Sequence, residues 1–230
     1  MARKQLPVEL QKQEISWGNR YLLFQLVFLG PLLSFLFAVF FPNRHIDINT
    51  AYFLINIVAV VWIFHRFLWH SLKYAIANRG RLLLSVILGF AVYWILIHGL
   101  DRLIYWLRPQ FENANDTSIA QSAQSQFWLT AFGTVILVPL TEETLFRGLI
   151  FGAVHRKNPI IAYAISILFF SMVHVLGYEG VKPPLELLLA LLQYVPAGLV
   201  LAWSYEYSGT ILAPLFIHTA INAIAIFSMR

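Results

Sequence analysis

The chain has 230 residues, of which 59% are hydrophobic and only 12% are charged, and its formal net charge is +5. A soluble domain typically carries roughly 25% charged residues, so this composition indicates an integral membrane protein. The apolar runs are continuous, which excludes the alternating pattern of a membrane barrel and favours helices, whose backbone groups pair internally. The absence of Cys excludes disulfides, thiolate metal sites and a Cys nucleophile.

Seven apolar runs of spanning length, about 20 residues each, follow one another along the chain. They lie at Tyr21–Phe41, Ala51–Trp69, Leu82–Leu103, Phe127–Val154, Ile160–Gly177, Leu185–Ser204 and Thr210–Met229. This pattern predicts an all-α, polytopic transmembrane bundle of about seven spans, in a single domain at 21–230 that follows a basic interfacial segment at 1–20. The polar stretch at 109–126 is predicted to be a mobile surface loop.

The distribution of Lys and Arg predicts the orientation of this bundle. With a cytoplasmic N-terminus, the inner segments hold eleven of the 16 Lys and Arg residues and the outer segments hold the other five. Segment 1–20 combines basic residues with Leu6, Leu10 and Trp17, which is typical of a segment that lies on an anionic leaflet. Because this location explains the positive charge, we expect no nucleic-acid partner.

Ionisable residues interrupt the fourth apolar run at Glu142, Glu143 and Arg147. Such groups are costly at bilayer depth, so they indicate a functional site with partners on neighbouring helices. Residues four apart share a helix face, and Glu143 is therefore predicted to pair with Arg147. Glu142 is rotated about 100° from Glu143, and it is predicted to face other polar groups in a site buried between the helices.

Those other polar groups lie in the fifth and seventh runs. His174 is near the end of the fifth run, and His218 and Asn222 share one face of the seventh. The short turn at 155–159 predicts that the fourth and fifth helices are antiparallel. Counting from that turn places Glu142 and His174 at the same depth, roughly 23 Å away at about 1.5 Å per residue.

Two prolines lie close to these polar residues. Pro139 precedes Glu142 by three positions, and Pro214 precedes His218 by four. A proline inside a helix removes one backbone hydrogen bond and frees the carbonyl four residues earlier. We therefore expect kinks at both positions that open space for water.

The spacing of these residues resembles the signature of the CAAX protease and bacteriocin-processing family of intramembrane endopeptidases, also called the CPBP or Abi family. The resemblance covers about 128–226 and rests on three motifs: Glu142-Glu143-x-x-x-Arg147, Phe170-x-x-x-His174 and His218-x-x-x-Asn222. It implies that Glu142 and His174 hold and deprotonate an attacking water. It further implies that His218 and Asn222 stabilise the oxyanion or hold the water, and that Glu143 and Arg147 order the site.

The resemblance implies an intramembrane endopeptidase that acts, in contact with the lipid bilayer, on prenylated tails or on bacteriocin-like or other membrane peptides. The compact size of the chain favours a bacterial cell membrane. No H-E-x-x-H helix occurs and Asn is a poor zinc ligand, so a metal-free glutamate mechanism is favoured over a metalloprotease. If a divalent zinc ion binds, Glu142, His174 and His218 are its predicted ligands.

Two other classes of function remain open at this stage. A non-catalytic regulator that binds a membrane signalling partner, such as a sensor kinase, needs no intact site. A proton-coupled transporter would use Glu and His as a relay, but transporters typically contain inverted repeats, and this chain has none. The sequence also lacks the G-x-S-x-G motif of nucleophile-elbow enzymes.

Overall fold

A computed structural model describes residues 6–41 and 48–230 of the chain, so the first five residues of the predicted interfacial segment lie outside it. Within the described residues the chain forms seven helices and no strand. The helices are α1 (Lys12–Phe40), α2 (Ile48–Ala77), α3 (Arg79–Leu107), α4 (Ala114–His155), α5 (Pro159–Val173), α6 (Pro184–Ser208) and α7 (Leu212–Ser228).

Five of these helices, namely α1, α2, α3, α4 and α6, are long and apolar enough to cross a membrane. The apolar helices α5 and α7 are shorter, with 15 and 17 residues. Large apolar side chains such as Trp62, Ile95 and Trp106 are exposed on the outside of the bundle. Such a surface suits lipid rather than water, and the predicted all-α transmembrane bundle is confirmed.

Helix α6 occupies the centre of the bundle, where it packs against α3, α5 and α7. Its contact with α5 depends on Gly198, because a Cβ atom there would lie 3.1 Å from the Cα atom of Ile167. Small residues allow membrane helices to approach closely in this way. The close approach leaves the Gly198 carbonyl beside the polar residues of α4.

The prediction of a loop at 109–126 is wrong, because α4 already begins at Ala114. Asn113 caps the helix, and its Oδ1 atom accepts hydrogen bonds from the backbone N–H groups of Asn115 and Asp116 at 3.0 and 3.4 Å. A local kink at Gln126 separates this polar segment from the apolar remainder of α4. Several polar side chains of this segment line a cavity inside the bundle. This location explains why a helical segment has the polar composition that is typical of a loop.

Helix α4 is irregular around Pro139, with π-helical segments at Gly133–Leu137 and Glu143–Phe151. Pro139 cannot donate to the Val135 carbonyl, and Thr219 of α7 donates its hydroxyl to that carbonyl at 3.0 Å. Helix α4 is therefore distorted on both sides of Pro139 through π-helical turns.

The predicted kink at Pro214 is wrong. Helix α7 begins at Leu212, so Pro214 lies in its first turn. The N–H groups of a first turn have no partner within the helix, and a proline there breaks no helical hydrogen bond.

Candidate active site

Glu143 and Arg147 form an ion pair inside α4, and neither side chain has any exposed surface. The distance from Arg147 Nη1 to Glu143 Oε1 is 2.9 Å. Arg147 also donates from Nη2 to the Gly198 carbonyl of α6 at 3.3 Å, and its guanidinium lies over the ring of Phe170 in α5, 4.4 Å from the centroid. The predicted ion pair within α4 is thus present, and Arg147 also joins α4 to α5 and α6.

Glu143 has a second partner, His218 of α7, which the sequence did not predict. The His218 Nδ1 atom donates to Glu143 Oε1 at 2.8 Å across a separation of 75 residues. Since a carboxylate only accepts hydrogen bonds, the proton of the neutral ring is on Nδ1 and the lone pair is on Nε2. No local spacing rule could have indicated this contact.

His174 follows the last residue of α5, and its ring is fixed from two sides. Its Nδ1 atom donates to the Phe170 carbonyl at 2.7 Å, which leaves the lone pair on Nε2 in the neutral ring. The ring of Tyr194 stacks on the imidazole at a centroid distance of 4.2 Å. Asn115 donates to the Tyr194 hydroxyl at 3.0 Å, so the start of α4 supports this stack.

Glu142 lies between the two imidazoles, at the same level of the bundle as His174. Its Oε2 atom is 4.0 Å from His174 Nε2 and 3.9 Å from His218 Nε2. These distances are too long for direct hydrogen bonds, but they suit polar atoms that share a water molecule. Within the part of the chain that the structure describes, Glu142 Oε2 is buried without a hydrogen-bond partner, while 18% of the side chain is exposed. The structure therefore brings together three polar groups from separate helices.

Asn222 lies near this group but has a partner of its own. Its Nδ2 atom donates to the Thr134 carbonyl of α4 at 2.8 Å. Together with the contact from Thr219 to Val135, this bond holds α7 against the first π-helical segment of α4. One of the two Asn222 amide protons is thus committed to packing between helices.

A cavity of about 690 Å³ connects these residues with one end of the bundle. Glu142, His174, His218 and Asn222 line its inner part. Its outer part reaches the connections from α3 to α4 and from α5 to α6, where Asp101, Asn113, Asp116 and Tyr178 line it. This volume is in the range of sites that enclose small organic ligands, and it can hold a short peptide segment.

The predicted zinc ligands do not fit a metal ion as they are placed. Among the residues that the structure describes, no group of three or more His, Cys, Asp or Glu side chains could hold one. The donor atoms of a tetrahedral zinc site, with bonds of about 2.0–2.2 Å, lie roughly 3.3 Å apart. Glu142 Oε2 is farther than this from both Nε2 atoms, at 4.0 and 3.9 Å.

Comparison with known proteins supports the predicted family resemblance. Residues 124–224 match a family described as type II CAAX prenyl endopeptidase Rce1-like, and this region contains all the predicted site residues. The UPF0177 protein YxdF of Lactococcus lactis subsp. lactis (strain IL1403) is 31% identical over 87 residues, which is 38% of this chain. The match spans 42% of that relative. No solved structure matches the chain. The predicted resemblance is confirmed for this region.

Replacement of Glu143 by Gln should destabilise the protein by about 3–5 kcal/mol, because Arg147 then remains as an unpaired buried charge. A double variant, Glu143→Gln with Arg147→Met, should recover most of this loss because it removes both charges. The measurement is the free energy of unfolding in detergent micelles. Glu9→Gln is a control, since Glu9 pairs with Arg156 on the surface at 3.2 Å. Parent-like stability of Glu143→Gln would contradict the structural role of the ion pair.

Proposed function

We propose that this protein is an intramembrane endopeptidase that hydrolyses a peptide bond with a water molecule activated by Glu142 and His174. One observation carries the proposal: Glu142 Oε2 is a buried acceptor that has no partner among the described residues, and it faces the Nε2 atoms of His174 and His218. The Nδ1 atoms of both rings already donate elsewhere, so both Nε2 atoms are available to a water or a substrate. The Rce1-like match supports the protease class.

The first step of the proposed reaction forms the new carbon–oxygen bond. A water molecule hydrogen-bonds to the Glu142 carboxylate and to His174 Nε2, and its oxygen attacks the carbonyl carbon of the peptide. Glu142 takes the proton that this oxygen loses. The ring of His174 is held by Phe170 and Tyr194, so it needs little reorganisation during the attack.

The second step breaks the carbon–nitrogen bond. The oxyanion of the tetrahedral intermediate receives a hydrogen bond from the second amide proton of Asn222, and the Nε2 lone pair of His218 accepts one from the hydroxyl group that the attack has formed. Glu143 contacts the other nitrogen of His218 and fixes the orientation of the ring, as the acidic member of a catalytic triad does. Glu142 then returns its proton to the leaving nitrogen, which releases a carboxyl product and an amine product.

The proposed membrane arrangement follows from the charge distribution and the cavity. We propose a single transmembrane domain at 21–230, with the catalytic region at about 128–226 and a cytoplasmic N-terminus in a cell membrane. Chain direction then places the ends of α3, α5 and α7 at the outer face, where the cavity opens. A peptide substrate would enter from that side or from the lipid bilayer.

Three substitutions test the catalytic assignment. Glu142→Gln, His174→Ala and His218→Ala should each lower kcat for peptide cleavage at least about 100-fold, because each removes a group that acts on the water or the tetrahedral intermediate. The measurement is cleavage of a quenched fluorescent peptide library by protein in liposomes, with and without a zinc chelator. Chelator should leave parent cleavage unchanged. Loss of cleavage on chelation, with recovery on adding zinc, would contradict the metal-free mechanism, and retained cleavage in Glu142→Gln would contradict the role of Glu142.

Single cysteines test the orientation, because the natural chain contains none. Ser118 lines the outer part of the cavity, and Asn158 lies in the turn between α4 and α5 at the opposite end. A membrane-impermeant maleimide added to intact cells should label Ser118→Cys and should label Asn158→Cys only after permeabilisation. The reverse pattern would contradict a cytoplasmic N-terminus.

A further inference from the structure

The cavity is acidic, although the chain as a whole has a net charge of +5. Glu142 lines its inner part, and Asp101 and Asp116 line its outer part. Among the described residues that line it, there is no Lys and no Arg. The low-dielectric walls of a cleft concentrate the electric field of such charges, so this cavity attracts positive charge.

Neutral groups fix the orientation of the two aspartates. Gln193 donates to Asp101 Oδ1 at 2.8 Å and accepts from Asn113 at 2.9 Å. The Tyr194 hydroxyl lies 3.4 Å from Asp116 Oδ1. These amide and hydroxyl groups orient the carboxylates without adding a positive charge.

Four basic side chains are described at this end of the bundle, and none of them lines the cavity. Arg102 is exposed, and Arg230 lies over the rings of Phe127 and Trp128. Arg108 and Lys182 both approach Glu186, at 3.9 and 3.8 Å. Their charges are therefore directed to Glu186, and the acidic lining of the cavity keeps its own negative potential.

Two buried hydroxyl groups in the cavity wall are available to a polar ligand. Thr130 and Thr141 of α4 line it and are only 6% and 4% exposed, yet their hydroxyl groups have no hydrogen-bond partner within residues 6–41 and 48–230. A buried hydroxyl without a partner is costly. Both residues lie on α4 between Asp116 and Glu142, so a peptide main chain that runs along this wall would give them partners.

We propose that the substrate is a peptide with a Lys or Arg side chain close to the scissile bond, and that Asp101 and Asp116 bind that side chain. This inference rests on the proposed function and adds the charge of its substrate. Asp116 contacts Tyr194, whose ring stacks on His174, so a single tyrosine side chain separates the carboxylate from the catalytic histidine. An extended peptide covers such a distance in about two or three residues, at about 3.3 Å per residue. A substrate that places a free carboxylate here would be repelled.

Three labelled peptides that differ in one residue provide the test. They are short apolar peptides with a central Lys, Gln or Glu, and their binding is measured by fluorescence anisotropy in nanodiscs of zwitterionic lipid, against empty nanodiscs. The receptor carries Glu142→Gln, which prevents turnover. The Lys peptide should bind about tenfold more tightly than the Gln peptide, and the Glu peptide should bind more weakly than both. This preference should decrease at high salt, which screens the charges.

Two sets of variants show whether the aspartates cause the preference. Asp101→Asn combined with Asp116→Asn keeps the side-chain shapes and should remove most of the difference between the Lys and Gln peptides. Glu112→Gln is the matched control, because Glu112 is an exposed acid near Asp116 that does not line the cavity, and it should retain the preference. Each aspartate is also replaced alone. For every variant, an unchanged melting temperature shows that the protein is still folded.

The outcomes separate this inference from the proposed function. Equal binding of the three peptides, no binding of any of them, or a preference that survives in the folded double variant would overturn the cationic subsite. Incubation of the same peptides with protein that retains Glu142 tests hydrolysis. Charge preference without cleavage would contradict only the proposed function, whereas cleavage without charge preference would contradict only the subsite.

Discussion

The bundle is organised around a buried carboxylate, that of Glu143, and around the need to neutralise it inside a membrane. An unpaired charge at this depth costs several kcal/mol. Arg147 neutralises it from the same helix, and His218 donates to it from α7. The guanidinium in turn contacts the Gly198 carbonyl of α6 and the Phe170 ring of α5. Satisfying one acidic side chain therefore fixes four helices relative to one another, so stability and the geometry of the candidate site depend on the same contacts.

Two adjacent glutamates consequently have opposite environments. Glu143 binds Arg147 and His218 through a single oxygen and has no exposed surface, whereas Glu142, about 100° further around the helix, lines the cavity. Glu143 also orients His218, so that its Nε2 atom faces Glu142. The Phe170 carbonyl accepts a hydrogen bond from His174 Nδ1 and likewise directs the Nε2 atom of that ring toward Glu142. Two imidazoles are thus directed at one carboxylate by different means, and the proposed activation of water requires this arrangement.

Short-range rules made much of this structure predictable. Continuous apolar runs indicated the seven helices, and the four-residue spacing of Glu143 and Arg147 indicated their ion pair. Contacts between distant segments have no such signal, which is why the bond from His218 and the stacking of Tyr194 on His174 were not predicted. The polar segment of α4 at its N-terminal end was mistaken for a loop because composition does not distinguish a solvent-exposed loop from a helix that lines an internal polar cavity.

The proposed activation of water is tested most directly by an experimental structure of the protein in lipid, at a resolution of about 2 Å that reveals ordered water. We expect one water molecule within about 2.6–3.2 Å of both the Glu142 carboxylate and His174 Nε2, with His218 Nε2 on the same side of the cavity. A metal ion bound to these three side chains at about 2.0–2.2 Å would contradict the metal-free mechanism. Side chains too far apart to share a water would contradict the proposed site itself.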